Sequence, residues 1–299
     1  MIAQRLTIPK KKTDIIFDIA IYTVAILMIV MIIYPLWFII IASFSNPADV
    51  ANGNVLFWPK DWRLDGYIEL VKQEMIWRGY LNTILYTIVG TMIGLFVNIT
   101  AGYALSRREL LGRKWIMIVY ILPMFIGGGL VPTYLVVREF GLLDTFWVLV
   151  LPFSVSAFNI IIARTFFKNS IPETLWEAAQ VDGCGTLRYF ITMVLPLSKA
   201  ILAVIGLWTA VGIWNSWFDA MIYLSSEHLQ PLQLVLRRIL IMNESLLGQA
   251  SGELATELRA LSEMMKYAAI IVSTLPIMCL YPFLQKYFNR GVMVGSIKE

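Results

Sequence analysis

Glu173, Glu177 and Gln180 stand four and three residues apart, with Ala178-Ala179 between them and Asp182-Gly183 just beyond. On a helix that spacing gathers the three polar side chains on one stripe. Nothing nearby turns the stripe into a catalytic set. The single histidine, His228, is remote in sequence, and Cys184 and Cys279 form no spaced pair, so neither a metal site nor a disulfide is indicated. No G-x-x-x-x-G-K-[ST] loop is present to cradle phosphates with backbone amides, so the chain has no ATPase site of its own. A polar stripe beside small residues can instead dock. Alanines admit close approach to a groove, and Glu177 can meet a basic residue there, setting register more than affinity. A second set of residues carries polarity into apolar sequence: Asn98, Asn159, Asn215 and Asp219, with Tyr134, Trp208, Trp214 and Trp217. Polar groups in such surroundings are costly and face a cavity or a partner helix.

The surroundings are a membrane. Of 299 residues, 59% are hydrophobic and 15% charged, against about 45–50% and roughly 25% in soluble domains. Apolar runs cover residues 19–41, 81–105, 115–137, 145–167, 200–223 and 267–288, each near the ~20 residues needed to cross a hydrocarbon core. They are too long and too continuous for the alternating strands of a β-barrel. The expected fold is an all-α membrane protein with six transmembrane helices, in a single domain over residues 1–299. The first run follows Lys10-Lys11-Lys12 but is longer than a signal-peptide core, and reads as an uncleaved span. If both termini lie in the cytoplasm, fifteen of the 24 basic residues fall on the inner side, as the positive-inside rule requires. That asymmetry accounts for the basic balance without nucleic-acid binding, for which no basic, aromatic-studded face is seen.

Two connections exceed a simple turn: an inner one over 169–199 and an outer one over 225–266. In the outer one, Leu232, Val235, Leu236, Ile239 and Leu240 recur at helical spacing, which predicts an amphipathic helix that covers the bundle or docks an external partner. Gly127-Gly128-Gly129 and Pro132 interrupt the third run, through either close helix packing or a hinge. In the inner connection, Pro172 suits a first helical turn, Gly183 suits a left-handed stop, and Thr186 can cap a second helix. The expected unit is helix, sharp turn, helix, ending at Leu195-Pro196.

Glu177-Ala178-Ala179, Gly183 and Leu195-Pro196 together resemble the Glu-Ala-Ala loop of binding-protein-dependent ABC importer permeases. Met193 stands where isoleucine is usual and Ala200 where a proline is frequent. Pro35-Leu36-Trp37, Asn82-Thr83, Ala101-Gly102-Tyr103-Ala104, Gly128 to Tyr134, Gly141 to Thr145 and Trp214-Asn215 extend the likeness to the second permease of maltose-type systems, in the branch serving oligosaccharides and polysaccharide fragments. The resemblance implies the type I importer permease fold and a coupling helix at 172–183 seated on a cytoplasmic ATPase. Glu173, Glu177, Ala178, Ala179, Asp182 and Gly183 are its contact residues. It also implies a second homologous permease, two ATPase copies that carry the ATP and Mg, an extracellular solute-binding protein and the inner membrane of a bacterium. No cofactor is expected on this chain. Asn215, Trp214, Trp208, Asp219, Asn159 and Tyr134 are candidates for the sugar route, since aromatic faces beside amides suit sugar rings. Interfacial anchoring of tryptophan and interhelical bonding of asparagine are the competing explanations. An ion-coupled secondary carrier is the alternative function, although no repeat or charged span core supports it.

Overall fold

The computed structural model describes residues 12–249 and 253–294, and no strand occurs among them. The chain divides into two compact units, residues 1–70 with 243–271 and residues 71–242 with 272–299. The helices in chain order are α1 (Lys12–Ser43), α2 (Pro47–Ala51), α3 (Asp65–Lys72), α4 (Glu74–Ser106), α5 (Arg113–Phe125), α6 (Leu130–Glu139), α7 (Leu151–Ser154), α8 (Ala157–Ser170), α9 (Glu173–Val181), α10 (Thr186–Tyr189), α11 (Leu195–Leu197), α12 (Lys199–Trp214), α13 (Trp217–Tyr223), α14 (Leu232–Gln249) and α15 (Glu253–Val294). A π-helical stretch, Phe190–Val194, joins α10 to α11.

In the first unit, α1 is apolar all round, and only Ile41, Ala42 and Ser43 at its end are buried. A helix with no polar face belongs in lipid. The chain beyond it is pinned back: Asn46 caps α2 by accepting the Ala48 N–H at 3.1 Å, and Trp37 donates Nε1–H to the Phe57 carbonyl at 3.0 Å. Tyr67 stacks on Phe44 at 5.2 Å and donates to Ser43 Oγ at 2.8 Å.

In the second unit α4 is the central element, packed along its length by α8 and α12. Gly90, Gly94, Asn98 and Gly102 recur every fourth residue and form one buried stripe. A Cβ on Gly94 would stand 2.6 Å from the Ser154 carbonyl oxygen, and one on Gly102 would stand 2.5 Å from Ala163 Cβ and 3.1 Å from the Ile160 oxygen. Without a hydrophobic force between helices in lipid, backbone approach through small residues supplies the contact. Asn98 serves the same packing, donating to the Ser154 carbonyl at 2.9 Å and accepting the Ser156 N–H at 3.0 Å. Those two groups are freed by the break between α7 and α8. Further along α4, Asn82 donates to the carbonyls of His228 at 2.8 Å and Gln230 at 3.0 Å, and Thr83 Oγ1 accepts the Leu232 N–H at 2.8 Å. The Asn-Thr pair noted in the sequence thus fastens the 228–232 segment. Asp144, with φ at +53°, braces the same region. Its carboxylate accepts from the Ser225 and Ser226 N–H groups at 2.9 and 2.8 Å and from Ser226 Oγ at 2.6 Å.

The expected spans meet the structure unevenly. α1 and α4 are continuous, as is the part of α15 over Arg259–Cys279, and these three are long and apolar enough to cross a bilayer. Two bent pairs, Phe146–Ser154 with Ala157–Ser170 and Thr186–Leu197 with Lys199–Trp214, raise the number to five if each is one span. The expected run 115–137 is divided into α5 and α6, of 13 and 10 residues, too short alone for a ~30 Å core. The third expected run is thus a pair of short helices, broken at the glycine cluster that interrupts it in the sequence. Gly129 explains that break, with φ at +84°, whereas a Cβ on Gly127 would meet nothing within 4 Å. Within this chain the cluster therefore bends backbone and does not pack against a neighbour. In α14 Leu234 joins the cluster of Tyr86 and Val148, and Leu232 and Val235 stand against Gly79, so this part of the amphipathic helix expected there packs on α4.

Gly94→Ala and Gly102→Ala are each expected to destabilise by about 1–3 kcal/mol through overpacking, read as a lower thermal midpoint in detergent. Gly206→Ala, whose Cβ would meet Leu95 at an ordinary 3.4 Å, is expected to leave the midpoint unchanged. The hydrogen bonds from Ser226 and then Ser225 hold the Asp144 carboxyl below the usual aspartate range. Its contribution is therefore complete above pH ~3.9 and lost as pH falls through the lower folded-state value. The midpoint gap between the native protein and Asp144→Ala is expected to stay constant near neutrality and to close in acid; a gap unchanged by acid would contradict this.

Candidate functional site

The connection between α8 and α12 folds as the sequence pattern requires. Pro172 stands at the N-cap of α9 with ψ at 140°, one position earlier than expected. The helix ends in a complete Schellman turn: Gly183, at φ +71°, donates to the Gln180 carbonyl at 3.0 Å, and Cys184 N–H reaches the Ala179 carbonyl at 2.8 Å. A side chain at Gly183 would be strained by backbone conformation alone, since a Cβ there meets nothing within 4 Å. The second helix begins with Thr186 inside it and Gly185 at its N-cap, so the expected threonine cap is absent.

Exposure along α9 alternates with the helical period. Glu173, Thr174, Glu177, Ala178 and Gln180 are exposed, and Asp182 and Gly183 continue that surface. Trp176 and Ala179 are buried. The structure thus keeps Glu177 and Ala178 on one accessible face but turns Ala179 inward. The expectation that Ala179 admits an outside surface is corrected: a helix of 3.6 residues per turn puts it three positions from Trp176, on the same buried side.

Trp176 anchors the helix. Its ring lies 4.9 Å from Tyr189 and belongs to one apolar cluster with Ile99, Tyr103, Ala163 and Phe167. Its Nε1–H is donated to Glu109 Oε1 at 3.0 Å, and the Arg107 guanidinium sits 4.8 Å over its face while pairing with the same Glu109 oxygen at 3.2 Å. Arg107 and Glu109 belong to the short link between α4 and α5, so this link and α9 are clamped together. Arg108 reaches Glu173 at 3.4 Å, but both are exposed, and such a pair is worth about 0–1 kcal/mol. The sequence reading missed Trp176, Arg107 and Glu109. Their signal was an aromatic residue three positions before Ala179, on the side opposite the acidic stripe, and an acid inside an otherwise basic link.

The candidate route residues separate into two groups. Asn159, Trp208 and Asp219 line one cleft of about 430 Å³ with Phe158, Thr209 and Ser216. Trp214, Asn215 and Tyr134 do not line it. Trp214 is buried and donates Nε1–H to the Ser273 carbonyl at 3.0 Å. Asn215 bonds back to the Val211 carbonyl at 2.8 Å, and Tyr134 stacks on Tyr223 at 6.0 Å within a packed cluster. Asn98 is spent on the α7–α8 break.

Residues 90–294, which include α9 and the cleft, match the family described as "Binding-protein-dependent transport system inner membrane component". The chain belongs to this family. The permease is 36% identical over 283 residues to the polygalacturonan/rhamnogalacturonan transport system permease protein YtcP of Bacillus subtilis, covering 95% of this chain and 98% of that one. It is 39% identical over 266 residues to Protein LplC of the same organism, covering 89% of each. Among solved structures it is similar to a bacterial ABC transporter involved in the import of the acidic polysaccharide alginate, at a TM-score of 0.84 and 31% identity over 94% of this chain and 100% of that one. The permease is therefore a membrane pore subunit of an ABC importer and not an enzyme, its ATPase being a separate partner, and the ion-coupled carrier reading falls away.

Trp176→Ala is expected to cost about 3–5 kcal/mol by emptying the cluster and to open the α8–α12 connection to limited proteolysis. Trp176→Phe keeps the ring and loses only the bond to Glu109, at about 1–3 kcal/mol; its cleavage rate is expected to lie between those of the native protein and the alanine variant.

Proposed function

We propose that this permease imports oligosaccharides or polysaccharide fragments beside a second homologous permease, with an extracellular solute-binding protein delivering the sugar. Two copies of a cytoplasmic ATPase, which hold the ATP and Mg, drive it through α9. Both termini then lie in the cytoplasm, as the distribution of basic residues supports.

One observation carries the coupling role: the acidic face of α9 is exposed while its opposite face is clamped by Trp176 to the α4–α5 link. A helix free on both faces would swivel when pushed. One fixed along its inner side passes displacement to α4, α8 and the helices that follow. Glu173, Glu177, Ala178, Asp182 and the Gly183 turn form the surface a groove would meet, and Ala179 supports it from within. The carbohydrate assignment rests on the relatives, whose names specify polygalacturonan and rhamnogalacturonan or alginate.

The test is recovery of the ATPase when the assembled complex is purified through a tag on this chain. Glu177→Lys is expected to reduce recovery about ten-fold or more, since reversing one charge at a docked pair costs at least ~1.4 kcal/mol. Undiminished recovery with normal sugar-stimulated hydrolysis would remove Glu177 from the contact.

A further inference from the structure

Two spans of the second unit are interrupted at one place. The α7–α8 break lies at Val155–Ser156 and the α12–α13 break at Asn215–Ser216; Ser156 and Ser216 both line the 430 Å³ cleft. Irregular backbone at membrane depth persists only where it is packed in protein or lines a watery cavity, and transporters use paired helix breaks of this kind to build substrate sites.

The cleft also holds polar groups that the chain leaves unused. Asn159 lines it and is 7% exposed. The Thr209 hydroxyl is buried and unpartnered. Asp219 has no ion pair among the described residues, and no lysine or arginine lines the cleft. A buried hydroxyl without a partner is rare unless a ligand or water completes it. Beside these groups, Trp208 stacks on Phe158 at 5.7 Å, and both rings are half exposed. An aromatic platform next to amide, hydroxyl and carboxylate acceptors matches a pyranose ring, which has an apolar C–H face and a rim of hydroxyl donors.

We infer that this cleft is a saccharide subsite for an uncharged sugar ring, seated on Trp208 and Phe158 with its hydroxyls on Asn159, Thr209 and Asp219. The inference rests on the importer reading above and narrows its substrate class. A uronate ring would bring its carboxylate against Asp219 with no cation in the cleft to offset the repulsion. The chemistry therefore differs from what the relatives' names, an acidic galacturonan and alginate, would require of this position.

Gly212→Cys in a Cys184→Ser, Cys279→Ser background places one thiol in the cleft of the assembled transporter in lipid nanodiscs, at a lining position outside the proposed sugar contacts where a Cβ meets nothing within 4 Å. Its reaction with a small water-soluble thiosulfonate is timed alone and with galactotriose, maltotriose or trigalacturonate. At about ten times its dissociation constant a bound trisaccharide slows the reaction roughly ten-fold. At least one neutral trisaccharide is expected to protect and trigalacturonate is not, and Trp208→Ala is expected to abolish the protection while the thiol stays reactive. Protection by trigalacturonate equal to that by the neutral sugars, protection by none of the three, or an unreactive thiol would overturn the subsite. A complex that co-purifies its ATPase yet shows no protection fails here alone, whereas one that carries no ATPase fails at the coupling reading.

Discussion

Close approach of helix backbones along α4 is the constraint on which the second unit depends. In lipid, burying leucine against leucine gains little over burying it against acyl chains, so helices associate where small side chains bring main chains together and where polar groups bond across. The stripe Gly90, Gly94, Asn98 and Gly102 does both, with α8 and α12 packed on it. Because Gly94 touches the Ser154 carbonyl and Asn98 takes both that carbonyl and the Ser156 amide, the same stripe makes the α7–α8 break tolerable. Packing and interruption are therefore one feature: the break that opens the cleft exists because α4 satisfies the groups it frees.

The α4–α5 link extends this arrangement to the far end of α4. Arg107 and Glu109 follow directly on the helix, and Trp176 is held between them and Tyr189. α9 is thereby attached to the same rod that α8 and α12 grip, through a buried indole and a charge-assisted bond. Each of these contacts is modest alone. In combination they fix the rotation of a nine-residue helix that would be marginal in isolation.

Much of this was legible in the sequence, and for identifiable reasons. Apolar runs marked the membrane segments because length and hydropathy are local properties. The Pro172 to Gly183 unit was legible because cap and stop residues act within one turn, and the Schellman turn at Gly183 is where the pattern placed it. Less was legible where the deciding partner is distant in the chain. Asn98 and Asn159 look alike in sequence, yet one is consumed by Ser154 and Ser156 and the other lines the cleft. Trp214 and Trp208 differ in the same way: one is tied to Ser273 and the other lies open. Periodicity also failed at the breaks near residues 155–156 and 215–216, because an apolar run gives no sign of where backbone hydrogen bonding pauses, whereas Gly127-Gly128-Gly129 marked the one near 126–129. Glu-Ala-Ala reads as one surface in the sequence, whereas a helical turn divides adjacent residues between two faces and buries Ala179.

The 81° bend between Thr186–Leu197 and α12 has a mechanical meaning. Twelve helical residues span about 18 Å, so this stretch is a crank arm set nearly square to the shaft it drives. A shove on its far end swings α12 about the elbow near Ser198, where a straight helix would only slide.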